Sequence, residues 1–126
     1  GGTMVTEKEK IIYIITRAGD EPELAVTPFS LANVALARDV EVVVILMGYA
    51  VMLATKNYAK TVIAPERPPL PDLMDAFLEE GGKLLICTPC YKGREIEQSD
   101  LIDGAEPVTA MRVTDEIMSA KAVISL

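Results

Sequence analysis

Three runs limit what this chain can become: Ile11-Ile-Tyr-Ile-Ile-Thr16, Val42-Val-Val-Ile-Leu-Met47 and Lys83-Leu-Leu-Ile86. Each is short and almost continuously apolar, without the alternation of a strand that shows one face to water, and the first two are rich in β-branched residues. Such runs mark strands buried on both faces, the situation of a parallel sheet covered by helices. Helical stretches lie between them. The chain therefore reads as a succession of βαβ units with parallel pairing.

The connecting segments fill in this frame. Arg17-Ala-Gly-Asp-Glu-Pro-Glu23 is a loop at the carboxyl edge of the first strand, where Gly19 allows a tight turn or close approach to a ligand. Its Asp20, Glu21 and Glu23 are either cation ligands or, more simply, a solvated acidic turn. Thr27-Pro28 reads as a helix start, a hydroxyl cap followed by proline at the first helical position. The helix expected from there to about Arg38 is apolar on nearly every side, through Phe29, Leu31, Ala32, Val34, Ala35 and Leu36, which points to a subunit interface. Gly48 turns the chain into a short helix over 49–56, with Met47, Tyr49 and Met52 as pocket liners or plain packing.

Thr61 to Ala64 is expected as a short edge strand, followed by a stiff connection carrying Pro65, Pro68, Pro69 and Pro71. Leu70, Leu73, Met74, Phe77 and Leu78 then fall on one helical face, and Gly81-Gly82 stops that helix. A helical turn near Ser99 to Gly104, a short strand at Pro107-Val-Thr109, a helix to Ala120 with Val113, Ile117 and Met118 inward, and a last strand Ala122 to Leu126 complete the order.

A length of 126 residues suits one domain with a core of its own, expected over residues 7–126. Residues 1–6, with Gly1-Gly2-Thr3 before Met4, read as a tag remnant and lead. The net charge of −7 argues against nucleic acid and anionic membrane surfaces as partners. No apolar run approaches the roughly 20 residues of a membrane span, and the start lacks a signal-peptide pattern, so the expected location is the cytoplasm. The absence of histidine removes Ser-His and Cys-His nucleophile pairs and histidine metal sites. No cofactor or metal is expected. Two cysteines would complete a tetrahedral metal site only by sharing across a subunit interface.

Both cysteines stand in one stretch, Cys87-Thr-Pro-Cys90-Tyr-Lys-Gly-Arg94, directly after the third apolar run. In open α/β sheets, ligands and chemistry gather at the carboxyl ends of the strands. A helix starting at Pro89 would aim its free N–H groups at the Cys87 sulfur, and Lys92 and Arg94 add positive charge, a setting that favours thiolate over thiol. Against this stands the ordinary alternative of a small apolar residue finishing a buried strand. Cys87 and Cys90 are the candidate catalytic residues; Arg94, Lys92, Gly19 and Gly48 are the candidate substrate-binding residues at the same sheet edge.

The order of these parts resembles the DsrE/DsrF-like family, within the DsrEFH superfamily. The resemblance is carried by the first strand, the Gly-Asp-Glu-Pro loop, the Gly-Gly turn before the third strand, Cys87-x-x-Cys90-x-x-x-Arg94, Asp100-Leu-Ile-Asp-Gly-Ala105 and the final Ala122-Val-Ile-Ser. It implies a three-layer α/β/α sandwich of flavodoxin-like type with a mostly parallel five-stranded sheet, assembled as a homotrimer or homohexamer. Family members such as TusD and DsrE carry a persulfide on a cysteine that corresponds here to Cys87, and Arg94 matches the arginine that follows it. Glu95 departs from an arginine-glycine pair common there, and Cys90 is absent from the TusD type, which leaves a thiol–disulfide mechanism open.

The resemblance implies a cysteine-based sulfur carrier or sulfurtransferase that needs no cofactor, with sulfur donor and acceptor proteins as partners. Cys87 would take a sulfane sulfur and pass it to another thiol. The competing expectation is an oligomeric module that binds a small ligand or a protein and keeps its cysteines for structure.

Overall fold

The computed structural model describes residues 8–126; the proposed tag remnant and lead at 1–6 lie outside them. Five strands form one sheet: β1 (Lys10–Ile15), β2 (Glu41–Leu46), β3 (Lys83–Cys87), β4 (Ala105–Val108) and β5 (Ala122–Ser125). Their order is β4-β3-β2-β1-β5, and every pairing is parallel. The parallel sheet expected from the apolar runs and the α/β/α sandwich implied by the resemblance are both present, and the sheet is parallel throughout. The three runs form the centre, in registers such as Tyr13 beside Val44 and Val44 beside Leu84.

Alternate residues of each central strand enter different layers, because successive side chains point to opposite faces. Tyr13, Ile15, Val42, Val44, Leu46, Leu84 and Ile86 pack in the larger core with α1 (Pro22–Ala37), the 3₁₀ segment Gly48–Ala54 and α2 (Leu70–Glu79). Phe29 of α1 meets Phe77 of α2 edge to face, ring centroids 5.7 Å apart. The Asn33 side chain donates to the Leu73 carbonyl over 3.1 Å, tying the same two helices together. Ile12, Val43, Ile45, Leu85 and Val108 form the second core, packed by Val113 of α4 (Ala110–Met118).

Three expectations are corrected. First, α1 begins at Pro22 instead of Thr27-Pro28: Leu24 and Ala25 N–H already bond the Glu21 carbonyl, at 3.0 and 3.2 Å. Pro22 takes the early position that suits proline, while Pro28 lies inside the helix and is buried. It supplies no N–H to the turn before it, a local cost met by packing on the core.

Second, Thr61 to Ala64 is no strand. The chain makes a 3₁₀ turn over Ala59–Thr61 and then runs irregularly into the prolines, burying Val62 and Ala64 without joining the sheet.

Third, α4 keeps Val113 inward as expected but not Ile117 or Met118. Met118 is 81% exposed and Ile117 is exposed as well, while Glu116 is buried. The carboxylate of Glu116 receives Lys10 Nζ at 2.8 Å and Arg112 Nε at 2.7 Å, and Arg112 also reaches Glu106 at 2.7 Å. These partners allow a charge to occupy a position that hydrophobic spacing would give to an apolar residue.

The fully parallel order brings the carboxyl ends of β1, β2 and β3 to one edge of the sheet. Cys87 is the last residue of β3, Gly48 follows β2, and the loop bearing Gly19 follows β1.

Candidate functional site at the carboxyl edge of the sheet

Cys87 ends β3 in extended conformation, beside Val108 of β4, and α3 (Thr88–Lys92) starts immediately after it. Pro89 fits the first turn of this helix, where its missing N–H costs nothing. Tyr91, buried to 2% exposure, anchors α3 in the larger core. The chain then turns back through Arg94 and Ile96, whose N–H groups both bond the Tyr91 carbonyl at 3.1 Å. Glu95, between them, has a φ of +59°, a left-handed conformation that glycine adopts with less strain.

Both sulfurs are free thiols, neither fully buried nor fully exposed. Cys87 stands at the N-cap of α3 and Cys90 is the third residue of that helix, so the two thiols are neighbours at its start. Cys90 Sγ accepts the backbone N–H of Gly48 over 3.3 Å. The Arg94 guanidinium donates to the Cys90 carbonyl over 3.1 Å and so stays close to the pair.

The expectation of an acidified Cys87 is corrected. Burial, and after it the neighbouring Cys90 thiol, push the Cys87 pKa above the ordinary thiol range; the Cys90 N–H and the Arg94 charge pull it down and do not make up the difference. α3 has only five residues, too short for the aligned peptide dipoles that the expectation relied on.

Of the six candidate residues, the structure gathers Cys87, Cys90, Gly48 and Arg94. Lys92 is exposed at the end of α3 and makes no hydrogen bond to either sulfur among the described residues. Gly19 belongs to an adjoining cluster: its N–H donates to the Tyr58 hydroxyl over 3.0 Å, and that hydroxyl donates to Tyr49 Oη over 3.4 Å. Burial raises the Tyr58 pKa, and the Tyr49 hydroxyl adds to this. Tyr58 is the residue that sequence reasoning missed. The available signal was a polar-tipped aromatic in a chain with only four tyrosines and no tryptophan.

The acidic loop is likewise resolved into local bonds. Asp20 accepts the Ala18 N–H at 2.8 Å and pairs with Arg17 at 3.2 Å. Among the described residues, no group of three or more His, Cys, Asp or Glu side chains is placed to hold a metal ion. Met47 packs on the second core, whereas Met52 lines an open cleft of about 430 Å³ with Thr55, Lys56, Glu95 and Asp100. No helix among the described residues is long and apolar enough to cross a membrane.

Comparison with known proteins agrees with this architecture. The model of the DsrE/DsrF-like family matches residues 9–126. The uncharacterized protein MJ0989 of Methanocaldococcus jannaschii is 32% identical over 100 residues, which cover 79% of this chain and 84% of that one. The uncharacterized protein MK0008 of Methanopyrus kandleri is 28% identical over 114 residues, 90% of this chain and 91% of that one. The crystal structure of the ychN protein from E. coli superposes with a TM-score of 0.79 over 94% of this chain and 99% of that chain, at 21% identity, a likeness of fold. With the family model running from the residue before β1 to the last residue of the chain, and the sheet recurring in ychN, this chain belongs to the DsrE/DsrF-like family.

Proposed function

We propose that the chain is a cysteine-based sulfur carrier in which Cys87 accepts a sulfane sulfur from a donor and passes it to the thiol of an acceptor protein. The observation that carries this reading is the meeting of two free thiols with the Gly48 amide and Arg94 at the carboxyl edge of a parallel sheet. A persulfide is more acidic than its parent thiol. The raised pKa of Cys87 therefore limits how fast the empty carrier attacks a donor more than it limits retention of the loaded sulfur, whose negative charge Arg94 is placed to balance.

Residues 7–126 would act as one domain, in the cytoplasm, as a homotrimer or homohexamer. Leu31 and Val34 of α1, 46% and 61% exposed, support an interface on that helix.

One observation favours the alternative, a binding module with structural cysteines: burial raises the Cys87 pKa and so lowers its thiolate fraction. Cyanide separates the two readings, because it removes sulfane sulfur as thiocyanate and leaves thiols untouched. After exposure to a persulfide donor and desalting, the Cys90→Ser chain yields thiocyanate and the Cys87→Ser chain yields none if Cys87 is the carrier. Equal yields from both variants would show that Cys90 takes sulfur as readily as Cys87, and none from either would leave the binding module.

A further inference from the structure

The two sulfurs are held differently. Cys87 ends β3 as the N-cap of α3, and Cys90 follows as the third residue of that short helix. Cys90 Sγ accepts the Gly48 N–H at 3.3 Å, while Arg94 donates to the Cys90 carbonyl at 3.1 Å. The Gly48 donor is itself rigid backbone. It follows Met47, whose N–H bonds the Ile15 carbonyl at 3.0 Å and whose carbonyl accepts the Ala50 N–H at 3.1 Å, and its φ of +57° is a conformation that favours glycine. The buried ring of Tyr91 keeps α3 from swinging Cys90 away. A second thiol is thus presented to Cys87 by three independent restraints.

Resting on the carrier reading of Cys87, we propose that Cys90 is a resolving thiol, positioned by the Gly48 amide, which discharges a persulfide on Cys87 as hydrosulfide when no acceptor takes it. The Cys90 thiolate attacks Cys87 Sγ, the inner sulfur of the persulfide. The Sγ–Sγ bond between Cys90 and Cys87 forms, and the bond from Cys87 Sγ to the outer sulfur breaks. The outer sulfur leaves with the electron pair and takes up the proton released by Cys90 to give hydrosulfide. The sulfane sulfur is reduced by two electrons as two thiol sulfurs are oxidised to a disulfide. An external dithiol then reduces that disulfide by exchange and is itself oxidised, returning both cysteines to thiols. The product class is inorganic sulfide, and the co-substrate class is a dithiol reductant.

The test loads the reduced full chain with glutathione persulfide, removes the donor, and follows intact mass and free hydrosulfide in parallel. Cys90→Ser, isosteric but for sulfur, is the comparison. The native chain is expected to lose the added sulfur, reach the mass of the intramolecular disulfide and release one hydrosulfide per chain. The loaded Cys90→Ser chain is expected to persist at least about tenfold longer. In ¹H–¹⁵N spectra the Gly48 amide resonance shifts as the native chain discharges and is stationary in loaded Cys90→Ser, a readout that a merely structural Cys90 would not move. Equal persistence of the loaded native and Cys90→Ser chains would overturn the resolving role and leave the carrier reading standing. A failure of both chains to gain sulfur would overturn the two together.

Discussion

Glu116 on α4 and Lys10 at the start of β1, 106 residues apart in sequence, are joined by a 2.8 Å contact between Oε1 and Nζ. Arg112 approaches the other carboxylate oxygen at 2.7 Å. The arrangement fixes the helix that covers the second face of the sheet. Burial alone would raise the Glu116 pKa, but the hydrogen bonds and charges of Lys10 and Arg112 outweigh it and hold the carboxyl below its ordinary range.

Glu116→Gln is expected to destabilise the fold by about 2 kcal/mol, less than a fully buried pair loses because water reaches Arg112. Since the folded-state pKa is lowered, this contribution is fully present above the unfolded-state value and is lost as pH falls through the folded-state value. Urea denaturation at neutral and acid pH checks both points: the gap between native and Glu116→Gln chains should close in acid. A constant gap would assign the loss to packing.

Gly82 marks where α2 gives way to β3, and a Cβ there would overlap the ring of the fully buried Phe77. The ring is held against Phe29 and cannot retreat freely. Gly82→Ala is therefore expected to cost about 2 kcal/mol by overpacking. Its thermal melt should fall below that of the native chain, and an unchanged melt would show that Phe77 has room to move.

The central strands were legible because a continuous apolar run has few other uses in a chain of this size. The amphipathic α2 was legible for a similar reason: its period is clear, and Leu70, Met74 and Phe77 are buried as the period requires. The start of α1 was not, because Pro22 and Pro28 both fit the rule for proline at a helix start, and tertiary packing decides between them. The inward face of α4 was obscured by Glu116, whose burial depends on Lys10 far away in sequence. At the site, the strand end with Cys87 could be read directly, as could the nearness of Arg94. The Gly48 to Cys90 bond and the Tyr58 to Gly19 bond join segments about 40 residues apart, and no spacing in the sequence encodes them. The pKa of Cys87 was misjudged in direction because burial, a tertiary quantity, outweighs the local charges.

Arg94 is the charged side chain that draws the Cys87 pKa down, against the stronger effect of burial. Arg94→Ala should leave less thiolate at neutral pH and slow alkylation of Cys87 by iodoacetamide. The effect should stay under about tenfold and weaken in high salt, since Arg94 is exposed and its field is screened. In both chains the rate should keep rising with pH beyond the ordinary thiol range. Equal rates at low salt would show that Arg94 does not act on the sulfur.

Val34, 61% exposed on α1, is the residue chosen to test assembly. If the proposed trimer or hexamer forms through α1, a charge in that apolar interface is costly to bury, and Val34→Asp should reduce the particle mass measured by light scattering to that of a single chain. A native chain with the mass of a monomer would contradict the proposed assembly, and an oligomer mass unchanged in Val34→Asp would place the interface on another face, such as the exposed Met111 and Met118 of α4.

The most direct measurement is the intact mass of the folded chain after treatment with a persulfide donor, with quenching before any discharge, for the native, Cys87→Ser and Cys90→Ser proteins. Sulfur carriage on Cys87 predicts the gain of one sulfur atom by the native and Cys90→Ser chains and no gain by Cys87→Ser. A native chain that gains sulfur only after denaturation, or a Cys87→Ser chain that still gains it when folded, would contradict the account.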